Sequence, residues 1–299
     1  MLEAYLQVMQ TIKVLLLHFK EDKMSNIIAD SSLDINDSLK SLGVQFVPFK
    51  LYLGDKEYVD NDALDPIKFI NDMVAYSGVG KSACPSPNDF LEKFEEKNDN
   101  YVVTISEKLS GTYNSAILAK NLFEEENKEG FVHVFNSKSA SIGETLTAIK
   151  IKEQVGQKVP SEKLVKNVEE YIENMRTFFI SENLDNLIKN GRISKMRGTI
   201  ASILNIKPIM GTNRAGEIIL YDKQRGIKKA YNRLKEIVEE TATDCSEKTL
   251  AISHVNNVER AEYIKSLIEK ECNFKEIVIV QTGGLSSLYC DNKGIILAF

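Results

Sequence analysis

Residues 101–135, YVVTISEKLSGTYNSAILAKNLFEEENKEGFVHVF, contain a strand, a helix and a second strand in succession. Tyr101–Ile105 is a run of apolar and β-branched residues, which predicts a buried strand. Tyr113–Phe123 carries apolar residues at helical spacing, and Phe131–Phe135 predicts the next strand. Because a strand, a helix and a strand in this order form a βαβ unit, the stretch predicts a parallel sheet.

The same alternation extends to both sides of this unit. Before it, the predicted strands and helices are 27–29, 44–53, 66–76 and 88–94. After it, Asn136-Ser137 leads into a helix rich in Ala and Ile that continues through Ile151. Gly156–Pro160 is the predicted joint, so the first domain is predicted over residues 24–160 as a three-layer, parallel-sheet α/β domain.

The second domain is predicted over residues 161–299 as a smaller α/β domain with a mixed sheet. Its predicted strands are 177–180, 203–210, 217–221, 249–254 and 276–281, and its predicted helices are 162–174, 228–241 and 258–271.

Composition excludes several classes of protein. The chain has 299 residues, of which 43% are hydrophobic and 27% charged, as is typical of a globular protein. Its net charge of −5 argues against nucleic-acid binding. No apolar run approaches the roughly 20 residues of a membrane span. The four cysteines are far apart without a C-x-x-C pair, so neither a disulfide framework nor a zinc site is expected. The predicted compartment is therefore the reducing cytoplasm. No metal or other cofactor is expected.

Residues 1–23 form an N-terminal extension ahead of the first predicted strand. No basic stretch precedes their apolar core and no small-residue cleavage site follows it, so a secretory signal is disfavoured. Two interpretations remain open: translation begins at Met24, or the extension is a short amphipathic helix packed on the outside.

The turn Ser106–Ser115 follows a predicted parallel strand and precedes a helix, where open α/β sheets bind ligands. Ser110-Gly111-Thr112 places two hydroxyls and a glycine at the helix amino terminus, which favours an anion such as a carboxylate. Simple helix capping explains the same residues, and the local pattern alone favours it.

Further hydroxyl-rich turns occur at Asp30-Ser31-Ser32, Ser82–Pro87 and Asn136–Ser141, the last with Ser137. Each alone is explained by capping or by proline-fixed turns. Because the Ser82, Ser110 and Ser137 turns are each predicted to follow a strand of one sheet, we expect them to meet in one crevice.

Catalysis by Ser110 is disfavoured. A nucleophilic serine needs an adjacent base, yet His133 lies inside a predicted strand and His254 in the other predicted domain. The G-x-S-x-G elbow and the glycine patterns of nucleotide-binding loops are missing as well.

The loop 190–195 is a further candidate anion site. Gly191 allows a tight turn, and Arg192 supplies a planar guanidinium suited to a carboxylate or phosphate. The alternative is a helix end with solvated charges.

The order of these motifs resembles the DegV family of bacterial lipid-binding proteins over nearly all of residues 24–299. The similar stretches are Ile27–Ser32, Val47–Phe49 with Tyr58–Asp60, Lys81–Pro87, Ser110–Ala116, Gly191–Ser194, Leu204–Ile209 and Lys223–Ala230. The resemblance implies an α/β sandwich domain followed by a smaller mixed-sheet domain. It also implies a fatty-acid carrier that is not an enzyme by itself, and that can present the acid to a separate fatty-acid kinase.

By the same resemblance, Ser82 and Ser110 bind the fatty-acid carboxylate, and Arg192 faces the kinase partner. Gly111, Thr112, Asp30, Ser31 and Ser137 support the head-group turns. The sequence departs from the family pattern in three places. Ala83-Cys84 replaces a Ser-Gln pair, Asn190 replaces the first glycine of the arginine loop, and Leu288 is expected near the position of a family histidine that supports the carboxylate.

The alternative hypothesis is an enzyme of dihydroxyacetone-kinase-like architecture that acts on a small substrate. A third hypothesis is a paralogue whose pocket has closed. Transient membrane contact is compatible with the carrier reading.

Overall fold

The computed structural model describes residues 25–126, 129–193 and 205–299. The extension at 1–23, Ser194 and the start of the strand expected at 203 lie outside these residues. Within the described residues the strands form three sheets, of four, six and three strands.

The four-stranded sheet is parallel and has the order β2-β1-β6-β7. Its strands are β1 (Ser25–Asp30), β2 (Val44–Val47), β6 (Asp99–Thr104) and β7 (Phe131–Asn136). Ile27 of β1 lies between Val44 and Tyr101 of its neighbours, and Tyr101 in turn pairs with His133. The parallel sheet predicted from residues 101–135 is therefore confirmed.

The helices of this part of the chain are α1 (Pro66–Ala75), α2 (Pro87–Leu91), α3 (Thr112–Glu125), α4 (Ile142–Gly156) and α5 (Ser161–Asn174). Asp65 caps α1 by accepting hydrogen bonds from the amides of Ile67 and Lys68, and Pro66 occupies the first turn where its missing amide is harmless. A short 3₁₀ helix spans Asp37–Leu42.

A small antiparallel sheet has the order β4-β3-β5, with β3 at Lys50–Leu53, β4 at Lys56–Val59 and β5 at Lys81–Ala83. The stretch 44–53, predicted as one extended segment, is therefore two strands in different sheets. Ser82 was expected in a turn after a strand of the parallel sheet, and this was wrong. It lies within β5 opposite Leu51, because the residues after α1 pair with β3.

The six-stranded sheet is mixed and has the order β10-β9-β8-β13-β11-β12. Its strands are β8 (Thr177–Ile180), β9 (Ile206–Thr212), β10 (Ile218–Arg225), β11 (Thr249–His254), β12 (Glu276–Gln281) and β13 (Ile295–Ala298). The helices are α6 (Asp185–Lys189), α7 (Ile227–Thr241), α8 (Val258–Ile268) and α9 (Gly284–Cys290), with a 3₁₀ turn at Cys245–Glu247. The mixed sheet was predicted, whereas β13 and α9 were not.

The packing of α5 indicates where the chain divides into its two units. Leu164 and Val168 of α5 share a buried cluster with Ala29 and Tyr101 of the parallel sheet. We therefore propose that the two units divide after α5, near Met175, later than the joint expected at 156–160. A further apolar core joins Phe49 and Ile105 to Phe179, Leu285 and other residues of the second unit.

Candidate functional site

A cavity lies where the three sheets approach one another. The space among its lining atoms is about 730 Å³, a volume that includes solvent at its open mouth. Apolar side chains such as Phe49, Ile105, Phe179, Leu187 and Ile296 form most of its wall. Ligand cavities of this kind typically combine an apolar wall with a few polar groups that fix orientation. Four of the polar groups here are the side chains of Ser82, Ser110, Arg192 and Tyr289.

Ser110 lies in the turn between β6 and α3, and its side chain is half-buried at the cavity. Its Oγ is 2.7 Å from Oγ1 of the buried Thr112. The amide of Thr112 donates to the same Oγ only at 3.4 Å, and the N-cap residue of α3, Gly111, has no side-chain cap. Helix capping therefore explains Ser110 poorly, and its hydroxyl bonds mainly with that of Thr112.

Ser82 reaches the cavity from β5. Its Oγ lies 2.9 Å from the phenol oxygen of Tyr289, and either atom can donate. Ser82 and Ser110 thus line one cavity, as predicted, although they come from different sheets rather than from neighbouring turns of one sheet.

Tyr289 is a residue that the sequence analysis missed. Leu288 was singled out instead, but its side chain is fully buried and points toward Gly80. Tyr289 lies one position later in α9 and lines the cavity together with Ser286, three residues earlier on the same helical face. Recognising α9 as a helix would have provided that signal.

Arg192 was predicted to face a kinase partner, and that role stays a prediction. The side chain is half-buried and lines the cavity. Its Nε donates to the Leu109 carbonyl at 3.1 Å and its Nη1 to the Asn190 carbonyl at 2.8 Å. The guanidinium lies 5.4 Å from the ring centroid of Tyr289, within the range of a cation–π contact.

Asp30, Ser31 and Ser137 do not line the cavity. Asp30 is fully buried and accepts hydrogen bonds from the amides of Ile105 (2.8 Å) and Ser32 (2.9 Å). Ser31 Oγ donates to Asp60, and Ser137 Oγ donates to the Ser139 carbonyl. Their contacts lie within and between the turns, so the supporting role predicted for them stays a prediction. From the same turns, Ser32 and Ser141 reach the cavity wall instead.

Four buried carboxyl groups stand behind this wall, at Asp30, Asp34, Asp60 and Glu144. Loss of hydration raises the pKa of Asp30 and of Asp34 to about 7 and that of Asp60 to about 6, and raises the pKa of Glu144 well above its usual value.

Two of these carboxyl groups hold the start of α9. Asp34 accepts from the Gly283 amide at 2.7 Å, and Asp60 from the amides of Gly284 (2.8 Å) and Leu285 (2.9 Å). Because α9 carries Tyr289, the cluster fixes part of the cavity.

The histidines of the described residues lie outside the cavity lining. His254 Nδ1 accepts from the Asn257 amide, and His133 lies near Glu169. In the described part of the chain, no group of three or more His, Cys, Asp or Glu side chains is arranged to hold a metal ion. No helix of residues 25–126, 129–193 and 205–299 is long and apolar enough to cross a membrane.

Fold and cavity together define a three-sheet α/β protein with an apolar cavity that carries hydroxyls and a guanidinium on its wall. The chain belongs to the DegV family: the family model described as "Uncharacterised protein, DegV family" matches residues 24–295. This confirms the predicted family.

Individual relatives agree with this assignment. A DegV domain-containing protein of Streptococcus pneumoniae is 32% identical over 276 residues, which cover 91% of this chain and 98% of the relative. A DegV family structure from Ruminococcus gnavus, refined with vaccenic acid, is 38% identical with a TM-score of 0.88, over 92% and 99% of the two chains. The Streptococcus pneumoniae "Fatty Acid Kinase (Fak) B3 protein", loaded with linoleic acid, is 30% identical with a TM-score of 0.83, over 92% and 99%.

Proposed function

We propose that this chain binds one long-chain fatty acid, with the tail inside the cavity and the carboxylate on Ser82, Ser110 and Tyr289. The observation that carries the proposal is the meeting of these three hydroxyls and the Arg192 guanidinium on the wall of an otherwise apolar cavity. Solved relatives that hold vaccenic and linoleic acid support it.

The hydroxyls suit a carboxylate because each can donate a hydrogen bond to it. In the structure Ser82 bonds with Tyr289 and Ser110 with Thr112, so the hydroxyls satisfy one another. A carboxylate between them exchanges these neutral contacts for charge-assisted ones, which are roughly twice as strong. Arg192 adds a positive charge beside the ring of Tyr289.

The tail supplies most of the driving force. Burying ~15 methylenes at about 0.8 kcal/mol each gives roughly 12 kcal/mol before costs. Lost freedom of the ligand offsets several kcal/mol, which leaves an affinity in the micromolar to nanomolar range.

The role that follows is that of a carrier in the cytoplasm rather than an enzyme. Ser110 has Thr112 as its hydroxyl partner in the structure, and a serine nucleophile instead depends on an adjacent base. Presentation of the acid to a fatty-acid kinase is part of the proposal, supported by the relative named for such a kinase. The half-exposed Arg192 lies where a docked partner can reach it, so its partner-facing role stays a prediction.

Mass spectrometry of the purified protein, extracted into organic solvent, tests the proposal. We expect C14–C18 fatty acid at close to one per chain, and saturable uptake of palmitate or oleate after delipidation. Delipidated, folded protein that takes up neither acid would rule the proposal out.

A further inference from the structure

The three hydroxyls proposed to bind the carboxylate, and the guanidinium beside them, come from four distant parts of the chain. Ser82 lies on β5, Ser110 before α3, Arg192 after α6 and Tyr289 on α9. A carboxylate bound by several donors requires them to keep a fixed mutual geometry, so the groups that fix their backbones also determine affinity.

Two asparagines of the α6 segment make contacts with several of these backbones. Asn186 Oδ1 accepts from the Gly80 amide at 3.2 Å, and its Nδ2 donates to the Leu288 carbonyl at 2.8 Å. Gly80 begins the segment that leads into Ser82, and Leu288 directly precedes Tyr289. One side chain therefore ties together the backbones that carry two of the proposed ligands.

Asn190, four residues later, extends the same connection. Its Nδ2 donates to the carbonyls of Gly80 and Asn186, each at 2.8 Å. The Asn190 carbonyl accepts from Arg192 Nη1, and Arg192 Nε donates to the carbonyl of Leu109, which precedes Ser110. The connection thus reaches all four ligand-bearing segments.

We propose that Asn186 and Asn190, together the asparagine clamp, are positioning residues that hold β5, α9 and the Arg192 loop around the head group. Both side chains are half-buried and neither lines the cavity, so they act through the segments they hold. This inference rests on the proposed function.

Stopped-flow fluorescence with cis-parinaric acid measures both binding and exchange. For Asn190→Ala we expect dissociation about fivefold to tenfold faster than wild type, the rate equivalent of roughly one hydrogen bond. The dissociation constant should rise along with the dissociation rate, because the clamp keeps the head-group donors in place.

Asn186→Asp tests the two hydrogen bonds of Asn186 separately, and it takes the place of an alanine variant that fails to fold. A carboxylate keeps the acceptor for the Gly80 amide and loses the donor to Leu288. We expect an intermediate dissociation rate. Asn174→Ala is the matched control, since the exposed Asn174 side chain donates to the Glu170 carbonyl of its own helix, and the variant should exchange ligand at the wild-type rate.

A double-mutant cycle distinguishes positioning from general loss of stability. If Asn190 acts through Ser82, the combined loss of affinity in Asn190→Ala/Ser82→Ala is smaller than the product of the single losses. Folded Asn186 and Asn190 variants with wild-type exchange rates, or with fully multiplicative losses, would overturn the inference. Wild-type protein that fails to bind the probe would instead overturn the proposed function.

Discussion

Tyr289 brings to the cavity a phenol hydroxyl that the sequence patterns did not single out. Ser82 and Ser110 were predicted as ligands, and the structure brings both to the same wall. Ser31 was predicted to support a head-group turn, and its neighbour Ser32 is the residue of that turn that lines the cavity. A difference of one residue in a turn is decided by backbone geometry, which residue types alone do not specify.

Removing single hydroxyls tests the head-group assignment. Ser110→Ala and Tyr289→Phe should each weaken palmitate binding by about 1 to 3 kcal/mol, the cost of one hydrogen bond to a charged group. Titration calorimetry with delipidated protein measures the loss. Ser266→Ala and Tyr263→Phe on α8 are matched controls, because neither residue lines the cavity. Unchanged affinity in both site variants would place the carboxylate elsewhere.

Arg192 offers a test based on charge. Arg192→Ala should lower palmitate affinity and reduce its dependence on salt, because the guanidinium faces the cavity. Arg192→Lys should be intermediate, since it keeps the charge and loses the planar fork. Arg214→Ala, in an exposed turn, is the control. If Arg192→Ala binds palmitate as wild type does, the guanidinium does not serve the ligand, and its partner-facing role becomes the remaining prediction.

At the scale of elements, long periodic segments were predicted well and short ones were not. The alternating strands and helices between 99 and 136 gave the parallel sheet because their apolar spacing is strong. By contrast, Lys81–Ala83 has three residues and forms β5 only because β3 lies beside it. Helix α9 has seven residues and its first amides are held by distant carboxyl groups, a tertiary effect that local spacing does not contain.

Those carboxyl groups give the protein a predictable dependence on pH. The folded pKa is about 7 for Asp30 and Asp34 and about 6 for Asp60, against roughly 3.9 in an unfolded chain. Between these values the folded state holds more protons than the unfolded state. The free energy of unfolding should therefore be highest below about pH 4 from this source and fall as pH rises toward 7.

Urea unfolding at pH 5 and pH 8 measures this slope. Glu144→Gln removes one carboxyl group from the cluster and keeps its shape, so the variant should show a shallower slope and greater stability than wild type at pH 8. Glu162→Gln, on the first turn of α5, is a surface control. A variant with the wild-type slope would show that the cluster does not control stability in this range.

At the scale of the whole molecule, the family and the α/β fold class with its mixed second sheet are confirmed. The cavity was not predictable from spacing, because its wall combines β5, α9, strands of the six-stranded sheet and turns that follow strands of the parallel sheet. Ser82 and Ser110 do line one cavity, as expected, but Ser82 lies on β5 and not in a turn after a strand of the parallel sheet. Convergence depends on how the sheets meet, and that is a property of the complete chain.

The location of a bound fatty acid tests the central claim most directly. A crystal structure of delipidated protein soaked with 12-bromododecanoic acid shows the bromine by its anomalous scattering and the carboxylate by its electron density. We expect the carboxylate within hydrogen-bond distance of Ser82, Ser110 and Tyr289, and the bromine among the apolar side chains near Phe179 and Ile296. Bromine bound only outside this cavity, or a carboxylate away from all three hydroxyls, would contradict the account.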